Sequence, residues 1–170
     1  PFRLPVDRVF VKPGFGAVVT GTVLSGSLSV GDTIMAIPQN INGKVRGIQA
    51  YGKATSSVST GSRAAINISG IGHDELYRGC EIVEPGASVA ASSIDLQLKL
   101  HKSAPKLIKD RDRVRLHIGT SEVIGRISIL SGTGIEPGHI DFAQFRGEST
   151  FAVTRGDRFI MRTYSPQLTI

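Results

Sequence analysis

The sequence predicts an all-β protein built as two small domains, and three observations carry that expectation. Twenty Gly and eight Pro punctuate short β-branched runs along all 170 residues. No window of roughly 11 residues keeps a 3.6-residue apolar period free of those breakers, so helices are not expected and a barrel or sandwich is. Between Glu84 and Ser93 the chain reads Glu-Pro-Gly-Ala-Ser-Val-Ala-Ala-Ser-Ser. A run of such small residues resembles a linker rather than a core element, and cutting there gives domains 1-88 and 89-170.

In the first half the strands are expected at Val6–Val11, Ala17–Leu24, Asp32–Ile37, Lys44–Ala50, Ser62–Ser69 and Glu81–Glu84. Turns are expected at Lys12-Pro13-Gly14, Ser25-Gly26 and Val30-Gly31-Asp32, and Asn42-Gly43 carries the strongest hairpin signal. In the second half the expected strands are Ile94–Leu100, Arg113–Ile118, Ser121–Leu130, Ile140–Arg146, Thr150–Thr154 and Arg158–Tyr164. Gly119-Thr120 joins two of them as a tight hairpin. Alternation places Val114, Leu116 and Ile118 on one face, with Arg113, Arg115 and His117 on the other. With Arg111 in front, that row is either a solvated face balanced by Asp110 and Asp112 or an anion-binding strip.

Composition removes whole classes of function. With 40% apolar and 20% charged residues the chain is an ordinary globular one. No run approaches the ~20 apolar residues that span a bilayer, and the N-terminus has no basic-then-apolar signal pattern, so no membrane role and a cytoplasmic location are expected. Cys80 stands alone and cannot form an intramolecular disulfide. A buried, small apolar role suits it. Asn67-Ile68-Ser69 fits the glycosylation tripeptide but sits inside an apolar run and is read as accidental. The net charge of +6 permits an anionic partner. Residues 1-88 hold eight Lys/Arg and six Asp/Glu, residues 89-170 twelve and eight, so the second half is the more basic.

Enzymatic constellations do not emerge. Gly16-Ala-Val-Val-Thr-Gly21-Thr22 has the glycine spacing of a phosphate loop, and Gly14-Phe-Gly16 precedes it, but the lysine is missing and the residues between are strand formers. His73, His101, His117 and His139 show no ligand spacing to one another or to Cys80, so no metal is expected. The carboxylate pairs Asp74-Glu75 and Asp110/Asp112 lie in charged, turn-like surroundings. No nucleophile elbow occurs.

Other stretches carry a family resemblance. Val6-Asp7-Arg8-Val9-Phe10, the run from Gly14 to Val23, Gly26 and Val30-Gly31-Asp32 resemble the second domain of the EF-Tu family of translational GTPases, as do Lys44 to Gln49, Gly61 to Asn67 and Arg78-Gly79. Arg113 to Thr120, Glu136-Pro-Gly138, Ala143-Gln144 and Asp157 to Arg162 resemble its third domain. Asp7-Arg8 with Arg63 is similar to the bacterial selenocysteine-specific branch, where ordinary factors carry acidic residues at the first pair and asparagine at the third.

That resemblance implies two consecutive small antiparallel β-barrels cut from the middle of a longer chain. It implies that Asp7, Arg8 and Arg63 bind the selenocysteinyl end of a tRNA, with Asp7 taking the α-amino group or holding Arg8. It further implies that Lys106, Lys109, Arg111, Arg113 and Arg115, with Lys99 and Lys102 upstream, lie near the tRNA backbone. GTP and Mg2+ would belong to a domain before residue 1, since no Gly-x4-Gly-Lys-Ser/Thr or Asn-Lys-x-Asp occurs here, and this fragment is expected not to be an enzyme. The ribosome, and an mRNA hairpin read by domains after residue 170, complete the implied partners of a monomeric factor. Two alternatives are the barrels of a factor for ordinary aminoacyl-tRNAs and a β-barrel protein-interaction module.

Overall fold

The computed structural model describes residues 1–12 and 16–170. The chain is all-β, 61% strand and 2% helix. Sixteen strands are described: β1 Arg3–Lys12, β2 Gly16–Thr22, β3 Ser27–Ser29, β4 Thr33–Ile37, β5 Ile41–Ala50, β6 Lys53–Thr55, β7 Ser57–Ser59, β8 Arg63–Ser69, β9 Glu81–Val83, β10 Val89–Lys99, β11 Ile108–Lys109, β12 Arg113–Ile118, β13 Ser121–Ile129, β14 Gly134–Ile135, β15 Ile140–Val153 and β16 Phe159–Thr163. Among the described residues one 3-10 turn, His73–Glu75, interrupts them.

The chain divides into two compact units, residues 1–90 with 151–156, and residues 91–150 with 157–170. In the first unit the strands run β4-β9-β1-β2-β8-β5, and β4 also pairs with β5, so six strands close into a barrel with β6 appended to β5. Burial along β2 and β8 alternates strictly, which sends Ala17, Val19, Ala64, Ile66 and Ile68 inward and leaves Thr20, Thr22, Arg63, Ala65 and Asn67 on the outer face. Inside, these side chains pack with Leu4, Val6, Ile34, Val45 and Ile82.

The second unit is a five-stranded sheet ordered β10-β15-β13-β12-β16, with β11 and β14 paired separately. Val114, Leu116, Val123, Ile127, Phe145 and Met161 fill its inner face. The expected alternation of β12 holds: Arg113, Arg115 and His117 are half-exposed between buried neighbours.

Two expectations are corrected. Asn42-Gly43 is not a turn but lies inside β5, opposite Met35 and Ile34; the chain reverses instead through the Pro38-Gln39-Asn40 segment, with Asn40 at φ 58°. A glycine is needed at 43 because a Cβ there would come within 2.9–3.0 Å of Ile68, Ile71 and Ile34 side chains. Part of the expected linker is also structural. Ser88 is buried and its hydroxyl donates to the Glu81 carboxylate at 2.7 Å, while Ala87 packs with Ile37 and Val83. Small residues there fit a tight space rather than a flexible tether.

The Lys12-Pro13-Gly14 turn and the Gly14-Phe15 part of the glycine run lie outside the described residues. The remainder, Gly16 to Thr22, is strand β2.

Candidate functional site

Strand β1 carries a one-residue bulge in its pairing with β2. Val6 faces Gly21 and Arg8 faces Thr20, which leaves Asp7 as the extra residue. Paired residues share a face, so Arg8 lies on the outer face with Thr20, and the Thr20 hydroxyl donates to Asp7 Oδ1 at 2.7 Å. The bulge therefore turns two consecutive side chains, Asp7 and Arg8, to the same side of the barrel, which a regular strand forbids. Gly21 makes the close approach possible: a Cβ there would stand 2.3 Å from the Pro5 carbonyl oxygen.

Arg63 reaches this place from β8. It opens that strand opposite Thr22, and its Nη1 donates to Asp7 Oδ2 at 2.5 Å. The Arg63 guanidinium holds the Asp7 carboxyl below the usual carboxylate range against the opposing effect of burial, with the Thr20 hydroxyl and the nearby Arg8 charge adding to it. Asp7 thus forms its ion pair with Arg63, while Arg8 acts on it through charge alone. Arg8 is exposed.

Beside the ion pair opens a hollow of about 320 Å³ lined by Thr20, Gln49, Tyr51, Gly52, Arg63, Ala64 and Ala65. Tyr51 and Gly52 both have positive φ, 52° and 76°, and form the tight turn between β5 and β6 that projects Tyr51 into solvent. Sequence reasoning missed Thr20, Gln49 and Tyr51. Their signal lies in strand register, which the spacing of residues 20, 49 and 63 along the chain does not reveal.

The basic residues of the second unit separate into distinct settings. Arg113 donates to both Glu148 oxygens at 2.9 Å and stacks on the Tyr164 ring at 4.2 Å. Arg115 pairs with Glu122, lies 5.0 Å from the same ring and donates to the Tyr164 carbonyl. Arg111 has positive φ, stands in solvent and has Asp110 at 3.8 Å. Lys106 and Lys109 are exposed, the latter on the separate β11–β14 pair rather than on a strand of the five-stranded sheet. Register then adds residues absent from the sequence-based strip. Arg126 faces both Arg113 and Arg146, and Arg162 faces Arg115.

Other features carry no chemistry. Cys80 is fully buried and burial pushes its thiol up, as a packing role requires. Among the described residues no group of three His, Cys, Asp or Glu could hold a metal. No described helix is long and apolar enough to cross a membrane.

Comparison with known proteins first gives the class. Residues 16–83 match the family model of elongation factor Tu domain 2. Residues 93–170 match that of the β-barrel domain of selenocysteine-specific elongation factors. The chain belongs to the EF-Tu-like elongation factors, in their selenocysteine-specific branch. It is 37% identical over 169 residues to the selenocysteine-specific elongation factor of Desulfomicrobium baculatum, covering 99% of this chain and 27% of that protein. With the Escherichia coli K12 factor of the same name it shares 28% over 170 residues, covering 99% of this chain and 26% of the relative. The chain therefore spans about a quarter of these relatives.

Solved structures agree on the fold. A bacterial selenocysteine-specific elongation factor EF-Sec superposes with a TM-score of 0.81 at 24% identity over all of this chain and 27% of that one. The apo SelB of Methanococcus maripaludis gives 0.82 at 24%, over 96% and 39%.

Proposed function

We propose that the chain is the tRNA-binding middle of a GTP-dependent factor that carries selenocysteinyl-tRNA to the ribosome in the cytoplasm. The first barrel would hold the selenocysteinyl end and the second would contact the acceptor and T-stem. GTP and Mg2+ would be bound by another domain of the same protein. The observation that carries this reading is the outer-face cluster of Asp7, Arg63 and Arg8 beside an open hollow.

The chemistry suits a selenolate. A thiol titrates near pH ~8.5 and is mostly neutral at pH 7, whereas a selenol is a stronger acid and is ionised. Guanidiniums stay charged at all relevant pH values. Asp7 fixes the direction of Arg63 while leaving its remaining N–H donors open, and Arg8 adds a second cation. Seryl-tRNA offers a neutral hydroxyl, so those cations would lose solvation without gaining an anion, and discrimination comes from that penalty as well as from the attraction.

Filter binding with selenocysteinyl-tRNA and seryl-tRNA tests this. Arg8→Ala and Arg63→Ala are expected to shrink the preference for the selenocysteinyl form by roughly tenfold or more, the effect of losing one charged hydrogen bond. An unchanged preference in both variants overturns the assignment. Protection of the ester bond of selenocysteinyl-tRNA from hydrolysis, with none for seryl-tRNA, would support the reading independently.

A further inference from the structure

We infer that Arg126 and Arg146 are the phosphate contacts of the second unit, and that Arg113 and Arg115 are the scaffold that presents them. The inference rests on the reading of that unit as an RNA-contacting barrel and names the residues that do the contacting.

Cross-strand register lays out the outer face of the sheet. Arg113 faces Arg126 across β12–β13, and Arg126 faces Arg146 across β13–β15, a row of three arginines on adjacent strands. Like charges directly opposite each other destabilise a sheet. Folding alone gives no reason to line up three.

Their partners divide them. Arg113 is neutralised by a two-pronged pair with Glu148 and covered by Tyr164. Arg115 is half-buried, paired with Glu122, and tied to the Tyr164 backbone. Both hold the segment after β16 against the sheet, and a phosphate would have to displace a carboxylate to reach either.

Arg126 and Arg146 are exposed, and each is anchored by a neutral oxygen. Arg126 Nη1 donates to the Arg111 carbonyl at 3.0 Å, and Arg146 Nε donates to Gln144 Oε1 at 2.9 Å. Gln144 is itself oriented by Asp95, which accepts from its Nε2 at 3.1 Å. Each guanidinium has five donors. One is spent on orientation and none on a carboxylate among the described residues, so both charges are aimed and uncompensated. An anion repeated along a backbone relieves the row, and phosphodiesters fit it, whether from the carried tRNA or from ribosomal RNA.

Equilibrium binding of a fluorescein-labelled tRNA transcript to the 170-residue chain across a salt series tests the assignment, with a duplex of ribosomal sequence as a parallel arm. Arg126→Gln and Arg146→Gln are each expected to reduce the slope of log K against log salt by roughly one unit. Arg126→Lys should keep the slope, since the charge remains. Arg113→Gln should leave the slope unchanged while lowering the melting temperature. Loss of slope with one RNA and not the other identifies the source of the backbone. Unchanged slopes for both Gln variants, or an equal loss on Arg113→Gln, overturns the inference while the RNA-contacting reading stands. Salt-insensitive binding by the unaltered chain overturns that reading, and the inference with it.

Discussion

At the scale of single residues, Asp7 ties the first barrel's outer face together, and its titration should be visible in stability. Its carboxyl is held down mainly by Arg63, so its contribution is fully present above the unfolded value near pH ~3.9 and is lost as the pH falls through the lower folded value. Urea midpoints of the native chain and Asp7→Asn should therefore differ by a constant amount above about pH 5 and converge below pH ~4. A difference that persists undiminished in acid would mean that the Asp7–Arg63 pair adds nothing to stability. Asp7, Arg8 and Arg63 are conspicuous in the sequence, because charges flank apolar strand residues there. Their convergence is not. Fifty-six positions separate Asp7 from Arg63, and only the β1–β2–β8 register brings them together.

At the scale of elements, two buried devices set the barrel's geometry. Gly21 sits opposite Val6 at the foot of the bulge, and Gly21→Ala would force a Cβ against the Pro5 carbonyl, which is backbone and cannot swing aside. Overpacking of this kind costs about 1–3 kcal/mol, read as a lowered urea midpoint. If the proposed function holds, the variant also weakens the preference for selenocysteinyl-tRNA over seryl-tRNA, because the bulge is what turns Asp7 and Arg8 together. The second device is the Arg3–Glu81 pair, with side chains only 11% and 4% exposed and Nε to Oε1 at 3.1 Å, joined by the Ser88 hydroxyl. Removing one partner strands a buried charge, so Arg3→Met should destabilise the first unit by about 3–5 kcal/mol, and adding Glu81→Leu should restore most of the loss. A double variant no better than Arg3→Met alone would show that the pair's geometry, not its charge balance, matters. The alternation of β12 and β13 was legible from apolar spacing, and the positions of β2 and β8 from their runs of strand formers between turn residues. The short strands β3, β6 and β7 were not, since three-residue segments rich in Ser, Lys and Thr carry no periodic signal.

At the scale of the whole molecule, chain order and spatial order differ. Residues 151–156 belong to the first unit although they follow most of the second. There Thr154 donates to the Ala87 carbonyl at 2.9 Å, and Ala152 packs on the Ile37–Val83–Ala87 cluster. A fragment ending at residue 88 loses both contacts. With about 1 kcal/mol shifting the melting temperature of such a domain by ~4–8 °C, it should melt at least that far below the first unit in the intact chain. Equal melting would show that the returning segment is ornamental. The sequence by itself determined the all-β class, the absence of a phosphate-loop lysine and the basic bias of the second half, because periodicity, turn residues and charge are local properties of the chain; the return of residues 151–156 to the first unit is not written in any of them. Only the tertiary structure decided which arginines are spent and which are open. The sequence pointed to Arg113 and Arg115 and passed over Arg126 and Arg146; the carboxylates of Glu148 and Glu122 and the ring of Tyr164 distinguish the two pairs. Glu122 comes from the next strand of the same hairpin, Glu148 and Tyr164 from far along the chain, and the pairing register fixes which charge each one meets.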